Sequence, residues 1–233
     1  FIVLTDCRVD TFYGLFGIYE INYYVSLCLS IFVFIITINS YNLIDGIDGL
    51  ASGFCILTMV VVLTLSYHNK NLIAVILCSS LIGSMIGFAK FNVVSGKKKI
   101  FMGDTGSLVV GFLISALVVI SLFSQNNYNQ SFSNVPVLML SIMSFPYIDT
   151  LRVMYLRKKD KKNFFDPDKR HIHHKLLENK FNHIQASSLI VLTCLIIIVF
   201  CLLTGNLNIS VHFIICLIFA LLALILLIKI KKH

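Results

Sequence analysis

The 233-residue sequence predicts an all-α, polytopic transmembrane bundle of about seven helices, on three observations. Apolar residues make up 58 % of the chain and charged residues only 13 %, with a mean hydropathy of +0.89, a balance outside the range of soluble domains. Apolar runs of about 18 residues or more, each able to cross about 30 Å of hydrocarbon, recur along nearly the whole length. Seventeen of the nineteen Lys and Arg fall in alternate connections between those runs. Residues 1–233 therefore read as one integral membrane domain, with no soluble part large enough to fold separately.

The elements follow in order. Phe1 to Leu4 resemble the end of a span, and Thr5 to Asn22, with Gly14, Gly17 and interleaved aromatics, predicts a short loop or hairpin. Spans are expected at Tyr24–Tyr41, Leu50–Tyr67, Leu72–Ala89, Ser107–Phe123, Val137–Leu156, Ala186–Thr204 and Ile209–Ile230. Residues 157–185 form a basic, His-rich loop within the domain. Lys90, Lys97 to Lys99, the ten basic residues from Arg152 to Lys180, and Lys229, Lys231 and Lys232 share one side. The other receives Arg8 and Lys70, and its connection from Ser124 to Asn134 has no charge. The positive-inside rule makes the basic side cytoplasmic.

The cysteines Cys28, Cys55, Cys78, Cys194, Cys201 and Cys216 sit singly in apolar runs, where a thiol behaves as a small hydrophobe, so they read as packing residues. The net charge of +8 fits loops facing anionic lipid and not a nucleic-acid surface. The chain begins at Phe1, without a signal-peptide pattern, which predicts that it is the C-terminal part of a longer protein.

Three polar segments open on the basic side. The first is Asn42-Leu-Ile-Asp-Gly-Ile-Asp-Gly-Leu50. A carboxylate at bilayer depth costs on the order of 3 kcal/mol, so Asp45 and Asp48 belong at a helix mouth, in a wet cleft or beside a cation. At a spacing of three they would share a helix face, and Asn42 adds an amide oxygen one turn back. Such an oxygen set suits a hard cation or a nucleotide, while a helix cap with Gly-rich turn chemistry is the plainer reading. The second is Phe101-Met-Gly-Asp-Thr-Gly-Ser107, where Gly103 and free amides suit a phosphate and Asp104 suits its metal, or Asp104 or Thr105 simply caps the following span. Lys97 to Lys99 before it read as lipid-facing charge.

The third segment, Asp166-Pro-Asp-Lys-Arg-His-Ile-His-His-Lys175, holds His171, His173, His174, Arg170 and Lys175. As a zinc site it lacks cysteine partners. As a diphosphate-binding loop it has the needed donors, and as a solvated basic loop it has more imidazoles than solubility requires. Asp149, with Arg152 three residues on, reads as a structural pair. His68 and His183 read as solvated or interfacial, and His212, near an exterior helix end, has no evident partner.

The ordered set NSYNLIDGIDGLASG, FMGDTGSLVVG, PYIDTLRVMYLR and FDPDKRHIHHKLLE closely resembles the polyprenyl-phosphate N-acetylhexosamine-1-phosphate transferase family, in its WecA-like bacterial branch. The spelling HIHH, in place of three consecutive histidines, separates it from the cell-wall muramoyl-pentapeptide transferases. The resemblance implies a multi-pass enzyme of the bacterial inner membrane, with its active site on the cytoplasmic face. It implies transfer of a sugar 1-phosphate from UDP-N-acetylhexosamine to a polyprenyl phosphate lipid, release of UMP, and a requirement for Mg²⁺, with Mn²⁺ as the substitute ion. By the same resemblance Asn42 and Asp104 sit by the metal. Asp45, Gly46 and Asp48 form the nucleotide end of the cleft, and His171 to His174 contact the diphosphate or sugar, flanked by Gly103, Arg170 and Lys175 as substrate contacts. Homodimerisation is compatible with this reading.

The family also carries an Asp-Asp pair in an earlier cytoplasmic loop, which this sequence lacks, so the resemblance places it before Phe1. A non-catalytic fragment and an ion or solute transporter are the rival readings. The one-sided clustering of polar residues, without an inverted repeat, argues against transport. A CDP-alcohol phosphotransferase is a further rival, and its remaining motif residues do not follow Asp48.

Overall fold

The computed structural model describes residues 2–5, 7–94, 98–123, 134–161 and 170–231. The chain folds as α1 (Ile2–Thr5), an antiparallel hairpin of β1 (Thr11–Leu15) and β2 (Ile18–Glu20), then α2 (Tyr23–Ile44), α3 (Leu50–His68), α4 (Leu72–Asn92), α5 (Gly103–Phe123), α6 (Val135–Ile142), α7 (Ser144–Lys159), α8 (Ile172–Glu178), α9 (His183–Leu203) and α10 (Ile209–Lys229). Among the described residues six of these helices are long and apolar enough to cross a membrane, and α6 with α7, a bent pair, passes the same test taken together, for up to seven crossings. The predicted multi-pass helical bundle is thus present. Its outer surface is apolar: only 22 % of the α4 window and 28 % of the α10 window are buried, and Ile73, Ile76, Leu222 and Leu226 face outward, as lipid contact requires.

Asparagine starts four of the spans. Side-chain oxygens of Asn22, Asn71, Asn182 and Asn208 accept from the free amides of the first turns of α2, α4, α9 and α10, and Gln185 completes a capping box with Asn182. The span expected over Val137–Leu156 departs from a straight helix. It bends by 57° at Met143. Pro146 explains the break, because its ring would strike the carbonyl of Ile142 and it has no N–H to return to it. Ser144 Oγ instead donates to Ser141 O at 2.7 Å.

Tyr41, Phe54, Met59, Ile114 and Phe145 fill the centre of the bundle, and Tyr41 donates its hydroxyl to Ala51 O at 3.0 Å. At the end away from the basic connections, the hairpin leans on α10: Phe16 N donates to Ser210 Oγ at 2.8 Å and its ring meets Phe213 edge to face. The same end holds a buried cluster of Cys201, His212 and Cys216. Contrary to the sequence reading, His212 has partners: Nδ1 lies 3.1 Å from Asn134 Nδ2 and Nε2 3.1 Å from Cys201 O. With both ring nitrogens engaged, the cluster is a hydrogen-bonded clamp between α9 and α10. The rest of the uncharged connection, residues 124–133, lies outside the described residues, as do Lys97, Asp166 and Asp168.

Candidate functional site

At the opposite, basic end, α2 stops at Ile44 and the chain turns through 45–49 before α3 begins. Asp45 closes α2, its N–H donating to Asn42 O, and Gly49 has φ +79°, a left-handed geometry that a side chain resists. The two acidic residues therefore leave the helix instead of sharing its face. Asp45 faces α5, whereas Asp48 turns to the other side, where Lys99 Nζ donates to its Oδ2 at 2.6 Å and His183 Nδ1 lies 3.4 Å away. Lys99, expected to face lipid, is thus drawn inward, and His183, expected to be solvated or interfacial, borders the turn half-exposed. Asn92, at the end of α4, accepts from Gly49 N at 2.7 Å and donates to Ile100 O at 3.1 Å. This one buried amide joins the turn after α2 to the segment that enters α5.

Across from Asp45, Gly103 opens α5 with φ +67° and Asp104 occupies its first turn. Asn42 Nδ2 donates to Ser107 Oγ at 2.7 Å and lies 3.4 Å from Asp104 Oδ1. Ser107 Oγ in turn is 3.1 Å from the carbonyls of Gly103 and Asp104. Burial, and then the neighbouring Asp104 carboxylate, push the Asp45 carboxyl up to about 6. Two carboxylates crowding one another beside an amide form an oxygen-rich corner that a hard divalent cation would relieve, so this set fits Mg²⁺ or Mn²⁺.

The imidazoles enter from the other side. Ile172 and Leu176 are fully buried and seat α8 against α9 and α10, and Asn179 Nδ2 donates to Ile230 O at 2.9 Å. His171 and His173 are 3 % and 1 % exposed, with rings stacked at 5.7 Å, and the His174 ring lies 4.3 Å from that of His173. His173 reaches the turn after α2: a Cβ added to Gly46 would stand 2.5 Å from His173 Nε2. Burial, then the neighbouring His174 ring, hold the His173 imidazole down to about 3. On the far side Asp149, 1 % exposed, accepts from His171 Nδ1 at 2.9 Å, from Ile172 N at 3.1 Å and from Arg152 at 2.7 Å. Among the described residues, His171 Nε2 and His173 Nδ1 have no hydrogen-bond partner.

The structure thus lines up Asn42, Asp104, Asp45, Gly46, His173, His171 and Asp149 in one row at the mouth of the bundle. Asp48 sits beside the row, paired with Lys99. Arg170 NH1 pairs with Asp160 Oδ2, and Arg170 O accepts from Arg152. Lys175 lies one turn into α8, its N–H donating to His171 O. The residues that sequence reasoning missed are Asn92 and Ser107. Each has a signal that can be read afterwards: a polar side chain at the end of an apolar run.

A profile of glycosyl transferase family 4 matches residues 1–122. The undecaprenyl-phosphate alpha-N-acetylglucosaminyl 1-phosphate transferase of Escherichia coli (strain K12) is 30 % identical over 166 residues, covering 70 % of this chain and 44 % of that protein. The probable undecaprenyl-phosphate N-acetylglucosaminyl 1-phosphate transferase of Bacillus subtilis (strain 168) is 35 % identical over 146 residues, 62 % of this chain and 38 % of its own length. The decaprenyl-phosphate N-acetylglucosaminephosphotransferase of Mycobacterium leprae (strain TN) is 30 % identical over 181 residues, 72 % and 45 % respectively. The chain spans less than half the length of these relatives. On the profile match and these identities together, the chain belongs to glycosyl transferase family 4.

Proposed function

We propose that the protein transfers N-acetylhexosamine 1-phosphate, N-acetylglucosamine 1-phosphate in the first instance, from a UDP-sugar to undecaprenyl or another polyprenyl phosphate, releasing UMP. The product begins a lipid-linked glycan of the cell envelope. The observation that carries this reading is the meeting of a carboxylate and amide corner with a row of buried imidazoles at one polar mouth of an otherwise apolar bundle. A water-soluble nucleotide reaches such a mouth from solvent while a long lipid enters between helices. The relatives, named as undecaprenyl- or decaprenyl-phosphate N-acetylglucosamine-phosphate transferases, support the same reaction.

In this reading Asp104 and Asn42 hold Mg²⁺, which when bound neutralises the charge of the donor diphosphate. Ser107 fixes the Asn42 side chain for that task. His171 and His173 turn unpartnered ring nitrogens to the diphosphate, Gly46 lets the His173 ring approach the nucleotide end, and Asp48 and Lys99 hold the turn in place. The basic end is the cytoplasmic face of a bacterial inner membrane.

The test is an assay of membranes containing the protein with UDP-GlcNAc, undecaprenyl phosphate and Mg²⁺. The expected products are UMP and a lipid-linked sugar diphosphate, with the rate lowered about 100-fold or more by Asp104→Asn. Absence of UMP with every UDP-N-acetylhexosamine, or a rate indifferent to Asp104→Asn, overturns the assignment.

A further inference from the structure

Asp149, on α7, ends the row of site residues without a task in the proposed reaction, and the sequence alone made it half of a structural pair with Arg152. Its surroundings are more specific than that. The carboxylate is 1 % exposed, and its hydrogen-bond partners among the described residues are all donors: Arg152 at 2.7 Å, the first backbone amide of α8 at 3.1 and 3.2 Å, and a ring nitrogen of His171 at 2.9 Å. With a guanidinium and an amide already donating to it, the carboxylate is ionised and can only accept from the imidazole. The hydrogen of a neutral His171 must therefore sit on Nδ1, leaving the lone pair on Nε2. That Nε2 is buried, has no protein partner among the described residues, and belongs to a ring stacked on His173, which itself abuts Gly46.

We propose that Asp149 is a positioning residue for the transfer reaction: by holding the Nδ1–H of His171 it fixes the ring's orientation and tautomer, so that Nε2 is the atom presented to the phosphate oxygens of the substrates. The proposal rests on the transferase reading above. It gives Nε2 two usable states. Neutral, it accepts a proton from a protonated phosphate oxygen. Protonated, it donates to an anionic one, its charge balanced by Asp149. Among the described residues, the other charged or titratable groups around this ring are Arg152 on α7, which shares Asp149, and His173 on α8, with His174 beyond it against His173. Arg152 leans on the same carboxylate and on Arg170 O, so it steadies the acceptor without competing for the ring.

Asp149→Asn is the informative variant. An amide keeps the shape and can still accept from Ile172 N, but its NH₂ donates to Nδ1 and drives the hydrogen to Nε2, the wrong atom. The experiment uses the purified, detergent-solubilised protein labelled with ¹⁵N-histidine, with His171 assigned by its loss in His171→Gln. Wild type is expected to show the Nδ1–H tautomer, and the folded fraction of Asp149→Asn the Nε2–H tautomer, with a thermal midpoint lowered by the loss of charge beside Arg152. In the transferase assay the variant should lose about 100-fold or more in kcat, with KM for the UDP-sugar changed far less. A wild-type spectrum showing Nε2–H overturns the proposal, even should Asp149→Asn fail to fold. So does a swapped tautomer with full kcat. A wild-type protein with the expected tautomer and no transferase activity sinks the reaction assigned above while leaving the Asp149–His171 pairing intact, so the two failures are told apart.

Discussion

At the scale of the residue, the tightest contact in the site is between the missing side chain of Gly46 and the ring of His173. A Cβ at 2.5 Å from Nε2 is closer than atoms tolerate, and the ring has little room to retreat because it is 1 % exposed, stacked on His171 and packed at a tilt against His174. Gly46→Ala is expected to cost about 1–3 kcal/mol of stability and to displace the ring, with transferase activity falling well beyond what the lost folded fraction explains. Activity per folded protein, measured beside the thermal midpoint, checks this; equal activity per folded protein refutes it. The burial of His173 has a consequence for pH as well. Its folded imidazole titrates near 3 and its ordinary value is 6.5, so below 6.5 the unfolded chain takes up a proton that the folded one refuses. The contribution is complete above pH 6.5 and is lost as pH falls toward 3, at up to about 1.4 kcal/mol per pH unit for one group. His173→Gln should flatten the fall of the melting temperature between pH 7 and pH 4. Parallel curves for the two proteins would show that other groups set the acid limit.

At the scale of the element, the seven crossings were legible because apolar length is a strong signal, and the asparagines at four helix starts reinforce it. The bend at Met143 was not read, although Pro146 was in view. A proline three residues into a helix is tolerated, and only the angle taken by α6 shows that a new helix starts there. The two acidic residues of the first segment were read as sharing a helix face, which requires the helix to continue through Asp48. It ends at Ile44, and Asp45 and Asp48 turn to different partners. Asp104 with Asn42, and Gly46 with His173, are long-range meetings that no local period encodes. What made them foreseeable was the ordered recurrence of motifs known from a family. Lys99 and Asn92 escape sequence reading for a common reason: a charged or amide side chain at a helix end is usually solvated, and whether it turns inward depends on which neighbour is missing a partner; the pairing expected of Asp149 with Arg152 is present.

At the scale of the whole molecule, polarity is distributed by end. The basic connections, the carboxylates and the imidazoles share one end, while the other is closed by a hairpin, an asparagine and a buried histidine. This asymmetry predicts sidedness. In a background without the native cysteines, Lys70→Cys should react with a membrane-impermeant maleimide on intact cells, and Lys158→Cys only after lysis. The reverse pattern would put the site on the outer face and count against the proposed nucleotide donor. The bundle mouth also has a mechanical property that follows from Asn92. Its one amide grips Gly49 on one side and Ile100 on the other, so the turn bearing Asp48 and the approach to Asp104 behave as a single link in a linkage. Any motion that carries Asp104 toward or away from Asp45 has to drag Lys99 and Asp48 with it. Opening and closing of the mouth is then a coupled movement of both loops, and a perturbation at either is felt at the other.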